Sequence, residues 1–315
     1  MIVLLTLAFA LTLVSTSASS FEDWSIRMDK HYTPAELLRR KAIYNKNSVL
    51  VKRFNDKHSF KLSTDGPFAD LTNEEYKNKL KFRGETLTDR VTLSKTSVGS
   101  IDWTSKMPPV RDQAQCGSCY SFATLGALEG RLIIKEGLTP SKVDFSEQQI
   151  VDCSTSYGNH GCNGGGMANS YLYIKKIGGI MAESDYSYTA TDEECKFDSN
   201  KVKATVDGRT NLDASEDTLA AAVTEGPVAV AIDASHFSFQ LYTGGIYDEP
   251  KCSSTTLDHG VVCVGFGQEN GVEYWIVRNS WGSSWGESGY VRMIKGSNQC
   301  GIATMATYPN NPHSI

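Results

Sequence analysis

The stretch QAQCGSCYSFA, residues 113–123, contains two cysteines separated only by Gly117 and Ser118. Such a pair is found in zinc sites, redox disulfides, structural disulfides and catalytic thiols. A structural zinc site needs four Cys or His ligands, usually as two close pairs, and the sequence has no second close pair. A thioredoxin-like redox pair follows a β-strand, whereas residues 108–112 (PPVRD) have the composition of a loop. Structural disulfides and a nucleophile are the two interpretations that remain.

Cys119 stands at the beginning of a helical pattern. Apolar residues recur after it at helical spacing, and Gly137 ends the pattern. These positions are Phe122, Leu125, Leu128, Leu132 and Ile133. A helix N-terminus lowers the pKa of a thiol, and the thiolate is the reactive form of cysteine. A nucleophilic thiol also needs a base and a group that orients the base.

Two downstream motifs supply these groups. His259 begins an apolar run in LDHGVV (257–262), 140 residues after Cys119, and Asn279 follows another apolar run in RNSWG (278–282). A lone histidine would be interpreted as a core residue, but the order Cys, His, Asn favours a catalytic set. The other five histidines, at positions 31, 58, 160, 236 and 313, stand in no comparable motif.

With CGSCY at 116–120, this order resembles the papain-like cysteine proteases, and most of all their cathepsin L-like branch of the amoebic histolysain type. Tyr120 departs from the more usual Trp. The resemblance extends over nearly the whole chain. It implies an α+β, papain-like two-lobe fold, with a helical N-terminal lobe (about 110–205) and a β-barrel-like C-terminal lobe (about 206–300).

The resemblance also implies a role for each catalytic residue. Cys119 attacks the scissile carbonyl as a thiolate paired with protonated His259, which then protonates the leaving amine. The Gln113 side chain and the Cys119 backbone N–H hold the oxyanion. Asn279 orients the imidazole, and Trp281 shields that hydrogen bond. No metal and no cofactor is expected.

Substrate-binding positions follow from the same resemblance. Gly165 pairs with the substrate backbone, and Met305 forms the floor of the pocket for the second residue before the cut. Since no acidic residue lies at that floor, the pocket is predicted to prefer Val, Ile or Leu over Phe and Arg. Met305 is expected to make it shallow. The full predicted set is Gly164, Gly165, Met167, Ala231, Leu257, Asp258, Gly260, Trp281 and Met305.

The chain has eight cysteines, all after residue 115. Six of them allow 15 pairings, so spacing alone does not choose among them. The family pattern implies the pairs Cys116–Cys162, Cys153–Cys195 and Cys252–Cys300. Cys263 is left over inside an apolar run and is expected to be a buried free thiol.

The N-terminal third differs in character from the rest of the chain. Residues 1–20 are apolar and then small, as in a secretory signal peptide; the stretch is short for a membrane span. Residues 21–95 contain 16 Lys and Arg against 11 Asp and Glu, whereas residues 96–315 contain 15 against 25. The basic segment is expected to bind the acidic body. We interpret 21–96 as an inhibitory propeptide, with a polar linker at 84–100, and 97–315 as the mature peptidase domain.

The propeptide motifs support this interpretation. Glu36, Arg40, Tyr44, Asn47, Val51 and Asn55 have the spacing of the family's interrupted Glu-Arg-Phe-Asn-Ile-Asn motif, with Tyr for Phe and Val for Ile. The pattern predicts a helix over 36–55, and a second short helix capped by Thr72 or Asn73. Four strands are predicted in the second half, at 227–232, 260–265, 274–277 and 290–294.

The resemblance implies a thiol endopeptidase whose partners are protein and peptide substrates, its own propeptide and protein inhibitors of the cystatin or chagasin type. A monomer is expected, in the secretory pathway, either extracellular or in lysosome-like vesicles. The acidic body argues against nucleic acid as a partner. Three alternatives stay open: an exopeptidase, a catalytically inactive binding relative, and a Cys-His acyltransferase. An exopeptidase would need an insertion that blocks the cleft, and no His-His insertion of that kind is present.

Overall fold

The computed structural model describes residues 20–315. The signal peptide predicted at 1–20 therefore lies outside the described residues, apart from Ser20. Within the described part, the eight α-helices are α1 (Phe21–Arg27), α2 (Pro34–Asn55), α3 (Asn73–Lys77), α4 (Cys119–Glu136), α5 (Glu147–Cys153), α6 (Met167–Ile177), α7 (Glu216–Thr224) and α8 (Phe237–Gln240). Short 3-10 helices lie at Thr104–Lys106, Pro140–Lys142, Thr155–Tyr157, Gly161–Asn163, Ser199–Lys201 and Gln299–Gly301.

Fourteen strands complete the described chain. They are β1 (Lys61–Leu62), β2 (Arg90–Val91), β3 (Ile101–Asp102), β4 (Ile180–Met181), β5 (Val202–Thr205), β6 (Gly208–Leu212), β7 (Val228–Ile232), β8 (Tyr242–Gly244), β9 (Ile246–Tyr247), β10 (His259–Glu269), β11 (Val272–Arg278), β12 (Tyr290–Ile294), β13 (Ala306–Asn310) and β14 (His313–Ser314). The main sheet has the order β2-β6-β13-β7-β10-β11-β12-β9, with β3 also paired to β10. The four predicted strands correspond to β7, β10, β11 and β12.

The predicted propeptide helices are present. The Thr33 side chain caps α2, which begins two residues before the predicted start, and Thr72 caps α3 in a capping box with Glu75. The motif residues Tyr44, Asn47 and Val51 lie on the buried face of α2. The Asn47 amide donates hydrogen bonds to the backbone carbonyls of Ala69 (2.8 Å) and Leu71 (3.0 Å), which lie in the segment just before α3.

Hydrogen-bonded ion pairs connect α3 to α2. Arg40 and Arg39 both bond to the Glu75 carboxylate, at 3.0 and 2.5 Å. Burial would raise the pKa of Glu75, but the Thr72 N–H and the two guanidinium groups lower it to about 2. The carboxylate therefore stays charged well into the acidic range.

Glu75→Gln is expected to destabilise the propeptide at neutral pH by about 1–2 kcal/mol, because it removes the charged partner of Arg39 and Arg40. Since the pKa of Glu75 is lowered from 4.5 to about 2, this stabilisation is complete above pH 4.5 and is lost as the pH falls towards 2. The measurement is thermal unfolding of the zymogen from pH 7 to pH 3, with Cys119→Ala present to prevent self-cleavage.

Glu74→Gln is the matched control for this prediction. It removes a carboxylate from the same helical turn, but the Glu74 side chain is 83% exposed and pairs with Lys77 on its own helix. We expect a change in melting temperature close to zero for Glu74→Gln. An equal loss in both variants, or a loss for Glu75→Gln that does not shrink with acid, would contradict the role given to Glu75.

The helical lobe is built around α4. Fourteen of its 18 residues are buried, and it ends at Gly137, whose φ of 68° is left-handed. Its neighbour α6 spans the helix predicted at 169–176 and ends at Gly178. The sequence pattern did not identify α5 or α7.

The two lobes meet where α4 packs against the central strand β10. His259 is the first residue of β10 and pairs with Ile232 of β7. β11 pairs with β10 along its other edge and ends at Arg278, directly before Asn279. The α+β architecture predicted from the sequence is confirmed, and it brings the start of α4, the start of β10 and the end of β11 together.

Disulfides join Cys116 to Cys162, Cys153 to Cys195 and Cys252 to Cys300. These are the three pairs that the family pattern implies. Cys119 and Cys263 are free and buried. Burial raises the pKa of the Cys263 thiol to about 12, so Cys263 is held as a neutral thiol inside β10.

The linker at 84–100 was predicted to be without regular structure, and this is wrong at Arg90–Val91. These two residues form β2, which adds to the edge of the main sheet beside β6. Arg90 also donates hydrogen bonds to the carbonyls of Leu212 and Thr304, both at 3.0 Å. The edge of β6 offers unpaired backbone groups, and a polar segment of any sequence can satisfy them.

Ion pairs between exposed side chains contribute little to the attachment of the propeptide to the body. Among the described residues, a side-chain ion pair across this boundary joins Lys95 to Asp217, and these side chains are 76% and 54% exposed. Backbone pairing and ring contacts make the attachment instead. β1 of the propeptide pairs with β8, and the amide of Gln240 donates to the carbonyls of Phe68 and Leu71. None of the helices in residues 20–315 is long and apolar enough to cross a membrane.

Candidate active site

The predicted catalytic residues come from three separate elements that the packing brings together. Cys119 is the first residue of α4, His259 begins β10, and Asn279 follows β11. All three are buried. Gln113 lies in the loop before α4 and is also buried.

The imidazole is held from one side. His259 Nε2 lies 2.8 Å from Asn279 Oδ1, which also accepts a hydrogen bond from the Ser280 backbone N–H at 2.8 Å. The Trp281 ring stacks on the imidazole with centroids 4.5 Å apart. Among the described residues, His259 Nδ1 has no hydrogen-bond partner. The hydrogen bond to Asn279 thus fixes the orientation of the imidazole through Nε2, and Nδ1 remains able to accept a proton from an acidic group.

The Gln113 side chain is equally constrained. Its Oε1 accepts a hydrogen bond from Ser280 Oγ at 2.7 Å, and its Nε2 donates to the Cys116 carbonyl at 3.0 Å. An amide NH₂ has two hydrogens, so one N–H is left for a further acceptor. The hydroxyl of Tyr188 donates to the Gln113 carbonyl at 2.9 Å.

Sequence reasoning missed two of these residues. Ser280 holds Gln113 and Asn279 at once, and Tyr188 supports the Gln113 backbone. Ser280 stands inside the RNSWG motif, but the sequence analysis assigned roles only to its neighbours Asn279 and Trp281. Tyr188 lies 69 positions after Cys119 in a polar stretch that carries no pattern. Only the fold brings it to the site.

Burial favours the neutral forms of Cys119 and His259 while the propeptide covers the cleft, and the thiolate–imidazolium pair stays a prediction for the open cleft. Burial raises the pKa of the Cys119 thiol to about 11, although backbone N–H groups, including that of Gly260, lower it. Burial lowers the pKa of His259 to about 4, and the hydrogen bond to Asn279 offsets this in part. Between these values the pair is a neutral thiol and a neutral imidazole. The physical reason is desolvation, because both side chains are fully buried.

The propeptide runs through the cleft as an extended segment. Phe82 N–H donates to the Asp258 carbonyl at 3.0 Å, and Arg83 N–H donates to the Gly165 carbonyl at 3.1 Å. Lys81 passes so close to Gly164 that a Cβ there would come within 1.8 Å of its carbonyl oxygen. The Lys81 N–H also reaches the Cys119 sulfur and lowers its pKa. The segment therefore covers both the thiol and the predicted backbone-binding residues.

Phe82 packs in the apolar region to which the predicted pocket residues belong. It is 7% exposed and belongs to one apolar cluster with Cys119 and the predicted pocket residues Met167, Ala231, Leu257 and Met305. Gly260 lies beside them, with Met167 Sδ 3.4 Å from the position of a Cβ. The predicted preference for Val, Ile or Leu over Phe stays a prediction.

The direction of the segment explains why it blocks the site. In a substrate, the second residue before the cut precedes the scissile bond. In the propeptide, Phe82 follows Lys81, the residue at the thiol. The propeptide chain therefore runs in the opposite direction to the predicted substrate.

Aromatic contacts close the other side of the centre. Phe68 and Tyr76 of the propeptide meet the Trp281 ring edge-on, at centroid distances of 5.0 and 5.7 Å. The Tyr76 hydroxyl donates to the Ala234 carbonyl at 2.7 Å. The propeptide is thereby packed onto the tryptophan that covers His259.

One cluster outside this centre has the composition of a metal site. Asp233, His236 and Cys252 place ligand atoms within 4.8 Å of one another. Cys252 is bonded to Cys300, so its sulfur is not a thiolate. The Asp233 carboxylate pairs with the His236 ring and accepts hydrogen bonds from the backbone N–H groups of Ser235 and Ser253. These contacts account for the cluster as a structural one.

The fold and this centre together define a papain-like thiol protease with its inhibitor still in place, and comparison with known proteins agrees. The family profile of the papain family cysteine protease matches residues 98–310. The profile of the cathepsin propeptide inhibitor domain (I29) matches residues 21–76. The chain therefore belongs to the papain family of cysteine proteases and carries an I29 propeptide.

Individual relatives place it among the cathepsin L-like members. It is 46% identical to Cysteine proteinase 2 of Entamoeba histolytica, over 96% of this chain and 98% of that protein. It is 42% identical to human Cathepsin L2, over 91% and 90%. Digestive procathepsin L 3 from the larval midgut of Tenebrio molitor superposes with a TM-score of 0.86 at 40% identity, covering 92% of this chain and 97% of that one. The chain is a cathepsin L-like hydrolase in its zymogen form, and the propeptide is its intramolecular inhibitor.

Proposed function

We propose that this zymogen gives rise to an endopeptidase that cleaves peptide bonds through a thioester on Cys119. The observation that carries the proposal is the hydrogen bond between His259 Nε2 and Asn279 Oδ1, which leaves Nδ1 without a partner among the described residues. A buried thiol at the start of α4 and a constrained Gln113 amide lie in the same centre.

The proposed reaction begins when the propeptide leaves and water enters the cleft. Lower desolvation lets the thiol proton of Cys119 move to His259 Nδ1. The sulfur attacks the scissile carbonyl carbon, and the free N–H of Gln113 and the backbone N–H of Cys119 hold the oxyanion. Loss of one such donor typically costs about 10²–10³-fold in rate. His259 protonates the departing amine and then takes a proton from the water that hydrolyses the thioester.

The specificity proposal is an apolar second residue before the cut. The apolar cluster that contains Phe82, with Met305 packed against it, supports this proposal. We propose that Leu, Val and Ile are preferred over Phe and that Arg is rejected, because a guanidinium there would be buried without a partner. The predicted preference for aliphatic residues is kept.

Hydrolysis of a peptide set that differs only at this second position tests the function and the pocket together. We expect kcat/KM for Leu to exceed that for Arg by at least about tenfold, since an unpaired buried cation costs more than about 1.4 kcal/mol. Met305→Ala should raise the Phe-to-Val ratio by removing side-chain volume from the floor. Faster cleavage of the Arg peptide, or an unchanged Phe-to-Val ratio in Met305→Ala, would reject the pocket assignment.

Maturation is proposed to remove residues 21–96, leaving a peptidase of 97–315. The exposure of Lys95 and the start of the protease-domain match at residue 98 support a cut in this region. We propose a monomer in the secretory pathway, released or held in lysosome-like vesicles, with cystatin- or chagasin-type proteins as inhibitors. The apolar, uncharged first 20 residues support this route.

A further inference from the structure

One propeptide side chain makes a contact that inhibition of the thiol does not require. The Glu85 carboxylate accepts hydrogen bonds from two successive backbone N–H groups, those of Ala168 (2.8 Å) and Asn169 (3.0 Å). These are the second and third residues of α6, an 11-residue helix that borders the cleft. The first N–H groups of a helix have no partner within it and carry partial positive charge.

The N-cap residue of α6 provides no side-chain acceptor for these N–H groups. Most N-cap residues satisfy them with a Ser, Thr, Asp or Asn side chain, but the N-cap here is Gly166 and makes no side-chain hydrogen bond. A Cβ at Gly166 would lie 2.3 Å from the Glu85 carboxyl carbon. The absence of a side chain at this position is therefore what admits the carboxylate. In the mature enzyme, release of the propeptide removes the acceptor for both N–H groups.

A positively charged side chain, Arg209, also influences the Glu85 carboxylate. Burial raises the pKa of the Glu85 carboxyl above its usual value, and the two N–H groups together with the positive charge of Arg209 on β6 offset part of that rise. The Arg209 Nε is buried and has no hydrogen-bond partner among residues 20–315. A helix terminus, an open N-cap and a guanidinium thus converge on one carboxylate.

The place lies on the substrate side of the cleft. Phe82 lies in the apolar cluster of the predicted pocket for the second residue, the Arg83 N–H donates to the Gly165 carbonyl, and Glu85 comes two residues further along the same extended segment. Since a substrate runs in the opposite direction, the corresponding region receives residues that precede the second one. A Glu side chain from the third or fourth residue before the cut is within reach of the α6 terminus.

We propose that the mature cleft has an anion subsite, formed by the N–H groups of Ala168 and Asn169 with Arg209 and opened by Gly166, that selects substrates with an acidic side chain at the third or fourth residue before the cut. In the zymogen, Glu85 fills this subsite as a substitute for such a substrate. The inference rests on the proposed endopeptidase activity and on its pocket for the second residue.

The test uses acid-activated enzyme at neutral pH and peptides with Leu at the second position. Glu is compared with Gln, its uncharged isostere, first at the third and then at the fourth position. Wild type should cleave the Glu peptide about 3- to 10-fold more efficiently in kcat/KM than the Gln peptide at one of these positions, the range expected for a partly buried anion at a helix N-terminus.

Two variants assign the effect to the subsite. The Gly166 backbone, with φ −127° and ψ 150°, accommodates alanine without strain, so Gly166→Ala should bring the Glu-to-Gln ratio close to 1 by filling the space of the carboxylate. Arg209→Gln should lower the ratio about two- to threefold. Lys176→Gln removes a positive charge from the exposed, opposite end of α6 and should leave the ratio unchanged.

The outcomes are distinguishable. Equal cleavage of the Glu and Gln peptides at both positions overturns the anion subsite and leaves the proposed function standing. A Glu preference that survives both Gly166→Ala and Arg209→Gln also overturns it. Failure to cleave any peptide of the set rejects the proposed function itself. A preference that disappears in Gly166→Ala, is lowered in Arg209→Gln and persists in Lys176→Gln supports the subsite.

Discussion

Cys119→Ala is expected to lower kcat/KM by at least about 10⁴-fold, because it removes the atom that forms the thioester and leaves His259 and Gln113 without a nucleophile to serve. Cys119 is fully buried at the start of α4, and alanine is smaller and a good helix former, so the fold should persist. The measurement is hydrolysis of a Leu-containing peptide after the linker has been cut by a serine protease that is then inhibited. The full-length variant should also keep its propeptide in acid while wild type loses it.

Cys263→Ala is the matched control, since Cys263 is the other free, buried cysteine of the described chain. It lies within β10 and its thiol interacts with the Gly265 carbonyl at 3.7 Å. We expect Cys263→Ala to retain activity within a few-fold of wild type. Hydrolysis that persists in Cys119→Ala would exclude Cys119 as the nucleophile and favour the alternative of a binding protein. Loss of activity in both variants would point to a packing effect.

Removal of the propeptide is expected to raise the rate of Cys119 alkylation by at least about 100-fold at pH 7. In the zymogen the pKa of this thiol is raised to about 11, so at pH 7 only about one molecule in 10⁴ carries the thiolate. The raised pKa means that the neutral thiol is favoured until the pH approaches 11. Once water and protonated His259 reach the sulfur, the thiolate becomes the stable form. Iodoacetamide labelling followed by intact-mass analysis measures the rate.

Cys263 provides an internal reference in this experiment. Its thiol is buried in β10 and its pKa is raised to about 12, and no part of the propeptide is needed to keep it so. We therefore expect one adduct per activated molecule, at Cys119, and none at Cys263 as long as the three disulfides stay intact. A zymogen whose Cys119 reacts as fast as the mature enzyme would contradict the neutral state assigned to the pair.

The helices and strands that hold the catalytic residues were predictable because each has a strong local period. Apolar residues at helical spacing define α4, and its first residue and its end at Gly137 are as predicted. Continuous apolar runs define β7 and the start of β10, which are buried on both faces. The order Cys119, His259, Asn279 is likewise a property of the chain, and it identified the family before any contact was known.

Helix α5 shows where local patterns stop being informative. Its residues Glu147, Gln148 and Gln149 are polar yet almost completely buried. They are satisfied by partners distant in sequence: Arg111 bonds to Glu147 at 2.6 Å, and the Gln149 amide bonds to Tyr173 and Gly179, both at 3.0 Å. Burial of a polar side chain depends on where its partner lies, and sequence periodicity does not contain that information.

The sequence by itself determined the family and predicted the catalytic set Cys119, His259 and Asn279, because these depend on residue identity and spacing. The tertiary structure decided what fills the cleft and in which state the thiol is held. Phe82, Glu85 and the neutral Cys119 result from an extended segment with no periodicity of its own. Its course is set by the exposed backbone groups of Asp258, Gly165 and α6 that it meets, and such complementarity exists only between folded surfaces.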